Sequence, residues 1–481
     1  MSGPFDALVL GGGTAGCVLA ARLSEDPGRR VCLVEAGPDY GPYGSAWPED
    51  MLDSRLPPSS HDWSDGDRTL PAARIIGGCS SHNMCMLVRG APADYAAWGE
   101  GWSYEALLPY FERAERQLEP VRFDREDLTP WLEAVADACE EIGLPVHGDL
   151  NEGVEGFGPL PMNVRGSTRW NAAFAYLDPA RKRPNLTLMA ETLVDRVTID
   201  GDRATGAVVI RAGEELELAA EQVILCAGAY GTPAVLLRSG IGPADDLARH
   251  GIDLASELPV GERLLDHFGI PVRWSPSESM QRMLFDHARA RPLLACQGIV
   301  RAPSSGCPAG LWDLNVLTGI FPSAGTPAEP EGHVLGASAM LVQPEWRGGV
   351  RLRSRDPAVL PEVSHYSFDS DADLTHALEG VELGRRIVAA AALDGLVDRE
   401  LEPGEAADAE AIRRRGRDGI TAYFHPVGTC PLGEVADRSG RVLGFENLVL
   451  ADASLMPTIP RGGTNLTVLA VAERIADLLG D

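Results

Sequence analysis

The amino-terminal segment has the pattern of a strand, a glycine-rich turn, a helix and a second strand that ends at an acid. An apolar run at 5–10 leads into residues 11–16 (GGGTAG), a helical pattern continues to about Ser24, and an apolar run at 31–34 ends at Glu35. Such glycines allow a tight turn and close approach to a pyrophosphate, and the helix N-terminus supplies N–H donors. Glu35 lies where a carboxylate accepts hydrogen bonds from a ribose diol. The segment therefore predicts a Rossmann-type dinucleotide site.

The chain that follows this segment favours FAD over NAD as the dinucleotide. An NAD-dependent domain usually continues with regular βαβ units, but the sequence up to about Ser103 is rich in Pro, Asp, Ser and Trp and has little helical period. A long excursion of this kind fits the wrapping of an extended cofactor. It contains residues 74–83 (RIIGGCSSHN), whose paired glycines let backbone approach a flat heterocycle because neither carries a Cβ. An NAD(P)-dependent dehydrogenase, which would be colourless when purified, stays open as the alternative.

Length, charge and cysteine content restrict the remaining classes. A chain of 481 residues exceeds a single ordinary core, so we expect two or three domains. The nine scattered cysteines lack a CxxC pair, which favours reduced thiols in the cytoplasm over disulfides or a metal site. A net charge of −28 disfavours nucleic-acid binding. Because no apolar run reaches the roughly 18 residues of a membrane span and no secretory signal precedes the first strand, we expect no membrane association.

The remaining segments predict a second domain of different character. Strand-like runs between 185 and 226 form a meander that would close the dinucleotide-binding sheet. Residues 269–355 are irregular and Pro-rich but contain strand-like runs such as 334–342, and 369–392 has a long helical pattern. We therefore expect an α/β protein in which a Rossmann-like FAD-binding domain is joined to an α+β substrate domain built on an antiparallel sheet. The predicted limits are 1–150, 186–268 and 419–481 for the FAD-binding domain, and 151–185 and 269–418 for the substrate domain.

Five motifs in chain order resemble those of the glucose–methanol–choline (GMC) oxidoreductases. They are 11–16 (GGGTAG) with Glu35, 74–83 (RIIGGCSSHN), 228–242 (beginning GAYGTP), 425–430 (HPVGTC) and 452–457 (DASLMP). The resemblance spans nearly the whole chain and implies a flavoprotein of the GMC fold with a discontinuous FAD domain. It also implies oxidation of a small-molecule alcohol to a carbonyl, with hydride transfer to flavin N5 and His425 as the base.

The dinucleotide turn and this resemblance together assign a set of residues to FAD. The expected cofactor-binding residues are Gly11, Gly13, Thr14, Ala15, Gly16, Glu35, Ala36, Arg74, Gly77, Gly78, Ser81, His82, Asn83, Met84, Val194, Ala227, Gly228, Asp452, Ala453, Thr464 and Asn465. No metal site is expected.

One position in the loop at 74–83 departs from most of the family, which carries an aliphatic residue where this chain has His82. The segment 77–83 resembles choline oxidase, whose matching histidine is bonded to the flavin 8α-methyl carbon. The resemblance therefore implies a covalent histidyl–FAD link through His82, and a neutral histidine hydrogen-bonded within the loop is the alternative. It does not extend to the substrate pocket, because Met84 replaces a serine and no carboxylate matches the one that faces choline. We expect a larger or less polar alcohol than choline.

The second departure lies at the carboxyl end of the chain. The family places a His or Asn opposite the histidine matched by His425, and the corresponding residue here is Gly463. A glycine can neither orient an alkoxide nor accept a proton. Either His425 works with a partner from another segment, or the chemistry departs from alcohol oxidation, as in a lyase or photodecarboxylase on the same fold. The electron acceptor (O2 or another carrier), the particular alcohol and the assembly, for which a homodimer is one option, stay open.

Overall fold

Two large sheets organise the protein, which we describe from a computed structural model. The described residues are 3–63, 72–152, 155–323, 332–404, 408–415 and 419–480. The first sheet has seven strands and the second has eight, and two short two-stranded ribbons accompany them. This arrangement confirms the predicted α/β fold with a second, antiparallel sheet.

The described elements follow one another along the chain with these bounds. The strands are β1 Phe5–Leu10, β2 Val31–Val34, β3 Gly156–Pro159, β4 Val164–Arg165, β5 Thr168–Arg169, β6 Leu186–Met189, β7 Thr192–Asp200, β8 Arg203–Arg211, β9 Glu214–Leu225, β10 Phe268–Ile270, β11 Arg273–Pro276, β12 Gly298–Ala302, β13 Leu314–Pro322, β14 His333–Leu341, β15 Val350–Arg351, β16 Glu362–Val363, β17 Val397–Glu402, β18 Thr421–Ala422 and β19 Leu448–Leu450. The helices are α1 Thr14–Leu23, α2 Glu49–Leu52, α3 Pro92–Tyr95, α4 Tyr104–Leu118, α5 Pro130–Glu141, α6 Asp178–Ala180, α7 Gly228–Arg238, α8 Ala244–Arg249, α9 Glu278–Ala290, α10 Asp371–Val388, α11 Ala409–Arg415 and α12 Thr464–Gly480.

The first sheet combines a parallel core with an antiparallel meander. Its order is β6-β2-β1-β9-β8-β7, and β19 pairs with β9. Strands β6, β2, β1, β9 and β19 run parallel to one another, and β7, β8 and β9 form an antiparallel meander. The expectation that all strand-like runs from 185 onward belong to the meander is wrong for β6, which pairs in parallel with β2. The parallel strands read as continuous apolar runs because helices cover both faces of such a sheet. Helix α1, buried along nearly its whole length, packs beside α12.

The second sheet is antiparallel, with order β17-β11-β14-β13-β12-β3 and with β10 joined to β14 and β18. One of its faces is covered by helices, since Val300, Val316 and Leu335 share a buried cluster with residues of α5 and α10. A Cβ built on Gly380 of α10 would lie 2.9 Å from Ala339 Cβ, so this glycine lets the helix approach the sheet closely.

The two sheets draw their strands from alternating parts of the chain, as the predicted division requires. Strand β18 belongs to the second sheet although it lies just past the predicted limit at 418, and α5 packs on the second sheet although 1–150 was assigned to the FAD-binding domain. The domain limits stay a prediction. Across the ranges given above, no helix combines the length and the apolar character that crossing a bilayer requires.

Candidate active site

The predicted cofactor residues gather where the parallel strands of the first sheet end. Leu10 pairs with Val34 and with Leu225, and Leu225 pairs with Leu450, so four strand ends lie side by side. Residues 11–16, 35–36, 227–228 and 452–453 follow these ends directly. In open parallel sheets, ligands bind outside the carboxyl ends of the strands. The register of the sheet thus brings distant motifs to one edge.

The glycine turn at this edge has no room for side chains. A Cβ built on Gly16 would lie 1.9 Å from the Gly11 carbonyl oxygen, and one on Gly11, at φ +112°, would lie 2.5 Å from the Cys226 carbonyl oxygen. Gly13 precedes α1, and no side chain caps this helix. The first N–H groups of α1, at Thr14 and Ala15, are therefore available to an anion such as a pyrophosphate.

The Glu35 carboxylate stabilises this turn through two hydrogen bonds with main-chain N–H groups, in addition to the ribose contact that the sequence predicts for it. One carboxylate oxygen accepts from the Gly12 N–H at 2.8 Å, and the other accepts from the Gly37 N–H at 2.7 Å. Burial raises the pKa of Glu35 to about 7, against these hydrogen bonds, which favour the ionised form. The neighbouring Ala36 carbonyl accepts from the Arg74 guanidinium at 3.3 Å.

The loop at 74–83 lies directly on the glycine turn. The Gly77 N–H donates to the Gly12 carbonyl at 2.8 Å. A Cβ built on Gly78, at φ +53°, would lie 2.5 Å from Gly13 Cα. A 3-10 turn spans Gly78–Ser81, and the Ser81 hydroxyl donates to the Ile76 carbonyl at 3.1 Å. The paired glycines that the sequence singled out thus let two backbone segments touch.

His82 presents an unpaired nitrogen next to this turn. Its Nε2 is buried and has no hydrogen-bond partner among the described residues. Burial lowers the pKa of His82, which favours the neutral imidazole. The following loop is held firmly, because the Asn83 side chain accepts from the Cys85 N–H at 2.9 Å and the buried Arg169 guanidinium donates to the Asn83 carbonyl. Met84 is half-buried beside them.

Asp452 joins the carboxyl-terminal motif to the turn that follows β9. Its Oδ2 accepts from the Gly228 N–H at 2.8 Å and from the Thr232 hydroxyl at 2.6 Å. The Ala453 carbonyl accepts from the Gly428 N–H at 3.2 Å. Residues 425–430 are therefore tied to the same edge of the sheet as Ala227 and Gly228.

Helix α12 and strand β7 complete the set of predicted residues. The Thr14 hydroxyl donates to the Asn465 side-chain oxygen at 3.2 Å, which joins the starts of α1 and α12. Thr464 is the buried first residue of α12. Val194 lies on β7, and its carbonyl accepts from Arg238 at 3.2 Å.

His425 has a partner that sequence reasoning missed. Its Nδ1 lies 2.9 Å from Nδ1 of His267, at hydrogen-bonding distance. Asp266 accepts the main-chain N–H groups of both histidines on one oxygen, each at 2.7 Å, and the Tyr366 hydroxyl on the other at 2.6 Å. One buried carboxylate therefore fixes the backbone of both rings.

The electrostatics of this pair favour two neutral rings. Burial lowers the pKa of His425 to about 4, and it lowers the pKa of His267 well below the ordinary histidine value. Burial also raises the pKa of Asp266 to about 7. Near neutral pH both rings are therefore uncharged, and each carries a single N–H group. In the hydrogen bond between the two Nδ1 atoms, one ring donates its N–H and the other accepts it.

Gly463 lies on the other side of His425, as the resemblance implies. A Cβ built on Gly463 would lie 3.6 Å from His425 Nε2, so a side chain at this position would meet the ring. The segment is held by Arg461, whose N–H donates to the Asp94 carboxylate at 2.7 Å and whose guanidinium pairs with the same carboxylate. Because residue 463 has no Cβ, it makes no side-chain contact with Nε2 of His425.

Two signals in the sequence could have pointed to the additional residues. Asp266 and His267 form an adjacent acid–histidine pair at the end of an apolar stretch. Arg301, which is fully buried in β12, interrupts the apolar run of residues 298–302 (GIVRA). A charged residue inside an apolar strand is rare without a partner or a function.

The arrangement fits an FAD molecule on three observations. Helix α1 begins without a side-chain cap at the strand ends. The loop at 74–83 packs directly on the glycine turn, since a Cβ on Gly78 would lie 2.5 Å from Gly13 Cα. The buried Nε2 of His82 lacks a partner that a bound group could provide.

Comparison with known proteins agrees with this geometry. Two family models described as GMC oxidoreductase match residues 5–269 and 344–472. The chain is 34% identical to 5-(hydroxymethyl)furfural oxidase of Methylovorus sp. (strain MP688), over 99% of this chain and 98% of that protein. It is 33% identical to mitochondrial choline dehydrogenase of Homo sapiens, over 99% of this chain and 89% of that protein.

Solved structures show the same fold. Pyridoxine 4-oxidase from Mesorbium loti superposes with a TM-score of 0.86 at 28% identity, with 98% of each chain covered. Formate oxidase from Aspergillus oryzae RIB40 superposes with a TM-score of 0.85 at 24% identity, over 99% of this chain and 98% of that chain, and shows the fold alone. Since the two family models span most of the sequence and the relatives align over nearly its full length, the chain belongs to the GMC oxidoreductase family and is an FAD-dependent oxidoreductase.

Proposed function

We propose that the protein oxidises a primary or secondary alcohol to a carbonyl compound, with His425 as the base. The observation that carries the proposal is the His267–His425 pair, whose outer nitrogen, His425 Nε2, faces the space left by Gly463. A general base must lie within hydrogen-bonding reach of the proton that it removes. Because Gly463 cannot act as the second residue, His425 needs a partner from another segment, and we propose that His267 is that partner.

The tautomers of the two rings follow from this role. To accept a proton, His425 Nε2 must be unprotonated, so its proton sits on Nδ1 and is donated to His267 Nδ1 across 2.9 Å. His267 then carries its own proton on Nε2. When Nε2 of His425 takes up the hydroxyl proton, the imidazolium still donates to His267. His267 is therefore a positioning residue that fixes the ring and its tautomer.

FAD, when bound, supplies the hydride acceptor for the carbinol carbon. The residues expected to hold it are Gly11, Gly13, Thr14, Ala15, Gly16, Glu35, Ala36, Arg74, Gly77, Gly78, Ser81, His82, Asn83, Met84, Val194, Ala227, Gly228, Asp452, Ala453, Thr464 and Asn465. The N-terminus of α12 follows Gly463 directly and adds a positive helix dipole on this side of the cleft. The chain thus contributes a base, an oriented binding site and a positive field.

The relatives guide the choice of alcohols to test. 5-(Hydroxymethyl)furfural oxidase acts, by its name, on a hydroxymethyl-bearing ring. We therefore propose hydroxymethyl-substituted rings as the first substrate class. Met84, where choline oxidase has a serine, supports a less polar substrate than choline.

An anaerobic screen tests the proposed reaction. Purified holoenzyme is mixed with each alcohol under argon, the flavin absorbance is followed, and air is then admitted. Bleaching by an alcohol supports the proposal, and rapid recovery in air identifies O2 as the electron acceptor rather than another carrier. If no alcohol bleaches the flavin, the proposal fails and a lyase or photodecarboxylase role, which the glycine at 463 keeps open, becomes the better account.

The pKa of His425 predicts the pH dependence of flavin reduction. Because the neutral ring is the base and its pKa is lowered to about 4, the active form is present above that pH and is lost as the pH falls through it. We expect the reduction rate to stay level from neutral pH to about pH 5 and then to fall. Rapid-mixing experiments across this range measure the profile, with circular dichroism at each pH as the control for folding. Because the pKa of Asp266 is raised to about 7, the same profile is measured for Asp266→Asn, and a midpoint near the ordinary histidine value, about 6.5, that persists in this variant would contradict the assignment.

We further propose that FAD is covalently attached through His82. The support is the buried Nε2, which has no partner among the described residues, and the lowered pKa of the ring, which favours the neutral imidazole that a bond to the 8α-methyl carbon requires.

Acid precipitation tests this link. We expect the yellow colour to stay with precipitated wild-type protein and to move to the supernatant for His82→Ala, because only the histidine can hold the flavin covalently. The matched control is His61→Ala, since His61 lies in the same region but bonds to the Tyr40 hydroxyl at 2.8 Å. A yellow supernatant from wild-type protein would show that FAD is not covalently attached and that His82 is an ordinary loop histidine.

A further inference from the structure

Arg301 is a buried cation that has no ionic partner among the described residues. The side chain is fully buried on β12, and its Nε and Nη2 atoms have no hydrogen-bond partner among the described residues. Nη1 donates to the Leu150 carbonyl, and the guanidinium stacks 4.3 Å above the centre of the Trp312 ring. No carboxylate of the described ranges forms a salt bridge with it. Two donor groups of a buried guanidinium are thus left open.

Such a group is costly unless something binds it. Burying a charge and leaving its donors unpaired opposes folding strongly, so buried arginines are normally paired. Burial lowers the pKa of Arg301 to about 10, so the guanidinium remains charged at neutral pH. Natural proteins tolerate local conflicts of this kind mainly at functional sites.

The position of Arg301 in the second sheet places it on the side opposite the helices. Val300 and Val316 point towards α5 and α10, so Arg301 and its cross-strand partner Asn315 point the other way. Asn315 is also buried, and its side-chain oxygen has no partner among the residues described. Two buried polar side chains, each with atoms that lack a partner among the described residues, therefore share one face of the sheet.

One aromatic residue, Tyr423, interacts both with this face of the sheet and with His425. The Tyr423 ring lies 4.5 Å from the His425 ring, centre to centre. Burial raises the pKa of Tyr423, whereas the Arg301 charge and a hydrogen bond with the Asn315 side chain lower it. Trp312, on which Arg301 stacks, accepts a hydrogen bond from Arg461, two residues before Gly463. Tyr423 is therefore in contact with the His425 ring and within electrostatic reach of Arg301.

We propose that Arg301 binds a carboxylate of the substrate, so that the protein acts on alcohols that carry an acid group away from the carbinol carbon. Arginine matches a carboxylate in a planar, bidentate geometry, and the Nε and Nη2 pair is one of its two faces for such binding. A substrate cation such as choline would be repelled at the same place. The inference rests on the proposed alcohol oxidation and specifies its substrate class.

Matched alcohols test the preference in wild-type enzyme. 4-(Hydroxymethyl)benzoate, benzyl alcohol and 4-(hydroxymethyl)benzyltrimethylammonium share one reacting group and differ in charge. We expect kcat/KM for the acid to exceed that for benzyl alcohol about 100-fold, as a charge-assisted bidentate pair supports, and the cationic analogue to be the poorest. Equal values for the acid and the neutral alcohol would overturn the inference while leaving alcohol oxidation intact. No flavin bleaching by any of them would instead refute the proposed function.

Variants assign the preference to Arg301. Arg301→Met should abolish the advantage of the acid and leave benzyl alcohol nearly unchanged, and Arg301→Lys should keep part of it, because the charge remains but the planar fork is lost. The matched control is Arg165→Met: Arg165 also stacks on a tryptophan, at 5.0 Å from the Trp170 ring centre, but is bonded to main-chain carbonyls and to Glu119. An unchanged preference in Arg301→Met, or in Arg301→Lys if the methionine variant does not fold, would contradict the inference.

Two readouts do not depend on turnover. Benzoate, which has no carbinol, should perturb the flavin spectrum of wild type and not that of Arg301→Met. Without ligand, Arg301→Met should unfold at a temperature equal to or above wild type, because an unpaired buried charge has been removed. A clearly lower unfolding temperature together with retained benzoate binding would show that Arg301 is structural.

Discussion

Replacing His425 with alanine is expected to slow anaerobic flavin reduction by an alcohol about 1,000-fold, the loss typical of a general base. This corresponds to about 4 kcal/mol of activation free energy. The His425 ring is oriented by the contact between its Nδ1 and Nδ1 of His267 at 2.9 Å, and its main-chain N–H donates to Asp266. Its Nε2 faces Gly463. The chain offers no second base at position 463. The full cost of removing the ring should therefore appear in the reduction step.

The measurement is the rate of bleaching after rapid anaerobic mixing. His333→Gln is the matched control, because His333 bonds to Gln281 at 3.1 Å on the second sheet, away from the cleft, and should reduce at the wild-type rate. The flavin spectrum and FAD content of His425→Ala should match wild type, since the variant removes a reacting group and not a cofactor contact. Reduction of His425→Ala at the wild-type rate would show that His425 is not the base.

Replacing Gly78 with alanine is expected to remove most of the bound FAD and to yield colourless protein. A Cβ at this position would lie 2.5 Å from Gly13 Cα. The position of a Cβ is fixed by its own backbone and Gly13 Cα is a backbone atom, so no side-chain rotation can relieve the clash. The left-handed conformation, at φ +53°, adds strain of about 1 kcal/mol for a residue with a Cβ. The loop at 74–83 would have to move off the glycine turn, which would open the expected pyrophosphate site.

FAD content, measured as flavin absorbance per protein, tests this expectation. Gly213→Ala is the control for backbone strain without a clash, because Gly213 has φ +83° and a Cβ there would meet no described atom within 4 Å. It should keep its FAD, with only a small loss of stability. A yellow, fully loaded Gly78→Ala protein would show that the loop does not need to touch the turn.

The sequence was most informative where one local pattern carries both a conformation and a function. The strand, glycine turn and acid at 5–35 predicted the parallel strands β1 and β2 of the first sheet, because a tight glycine turn between an apolar strand and a helix is typical of such a sheet. The strand runs at 334–342 and 448–451 likewise match β14 and β19 within a residue or so. Apolar runs bounded by turns leave few other structures for such segments.

The sequence was less informative where the structure depends on long-range contacts. The His267–His425 pair joins residues 158 positions apart, and no local period signals it. Helix α9, Glu278–Ala290, was not predicted: it lies in a stretch taken as irregular, and only Met280 and Leu284 of its residues are buried. The use of both Glu35 oxygens by main-chain N–H groups also depends on how the turn and the strand end meet.

The most direct test of the account is anaerobic mixing of the holoenzyme with 4-(hydroxymethyl)benzyl-type alcohols that carry either hydrogen or deuterium on the carbinol carbon. If the carbinol hydride is transferred during alcohol oxidation, the flavin bleaches, and it bleaches several-fold more slowly with the deuterated alcohol. If FAD is bound and no member of the alcohol panel bleaches it, the protein is not an alcohol oxidoreductase, and the central claim is wrong.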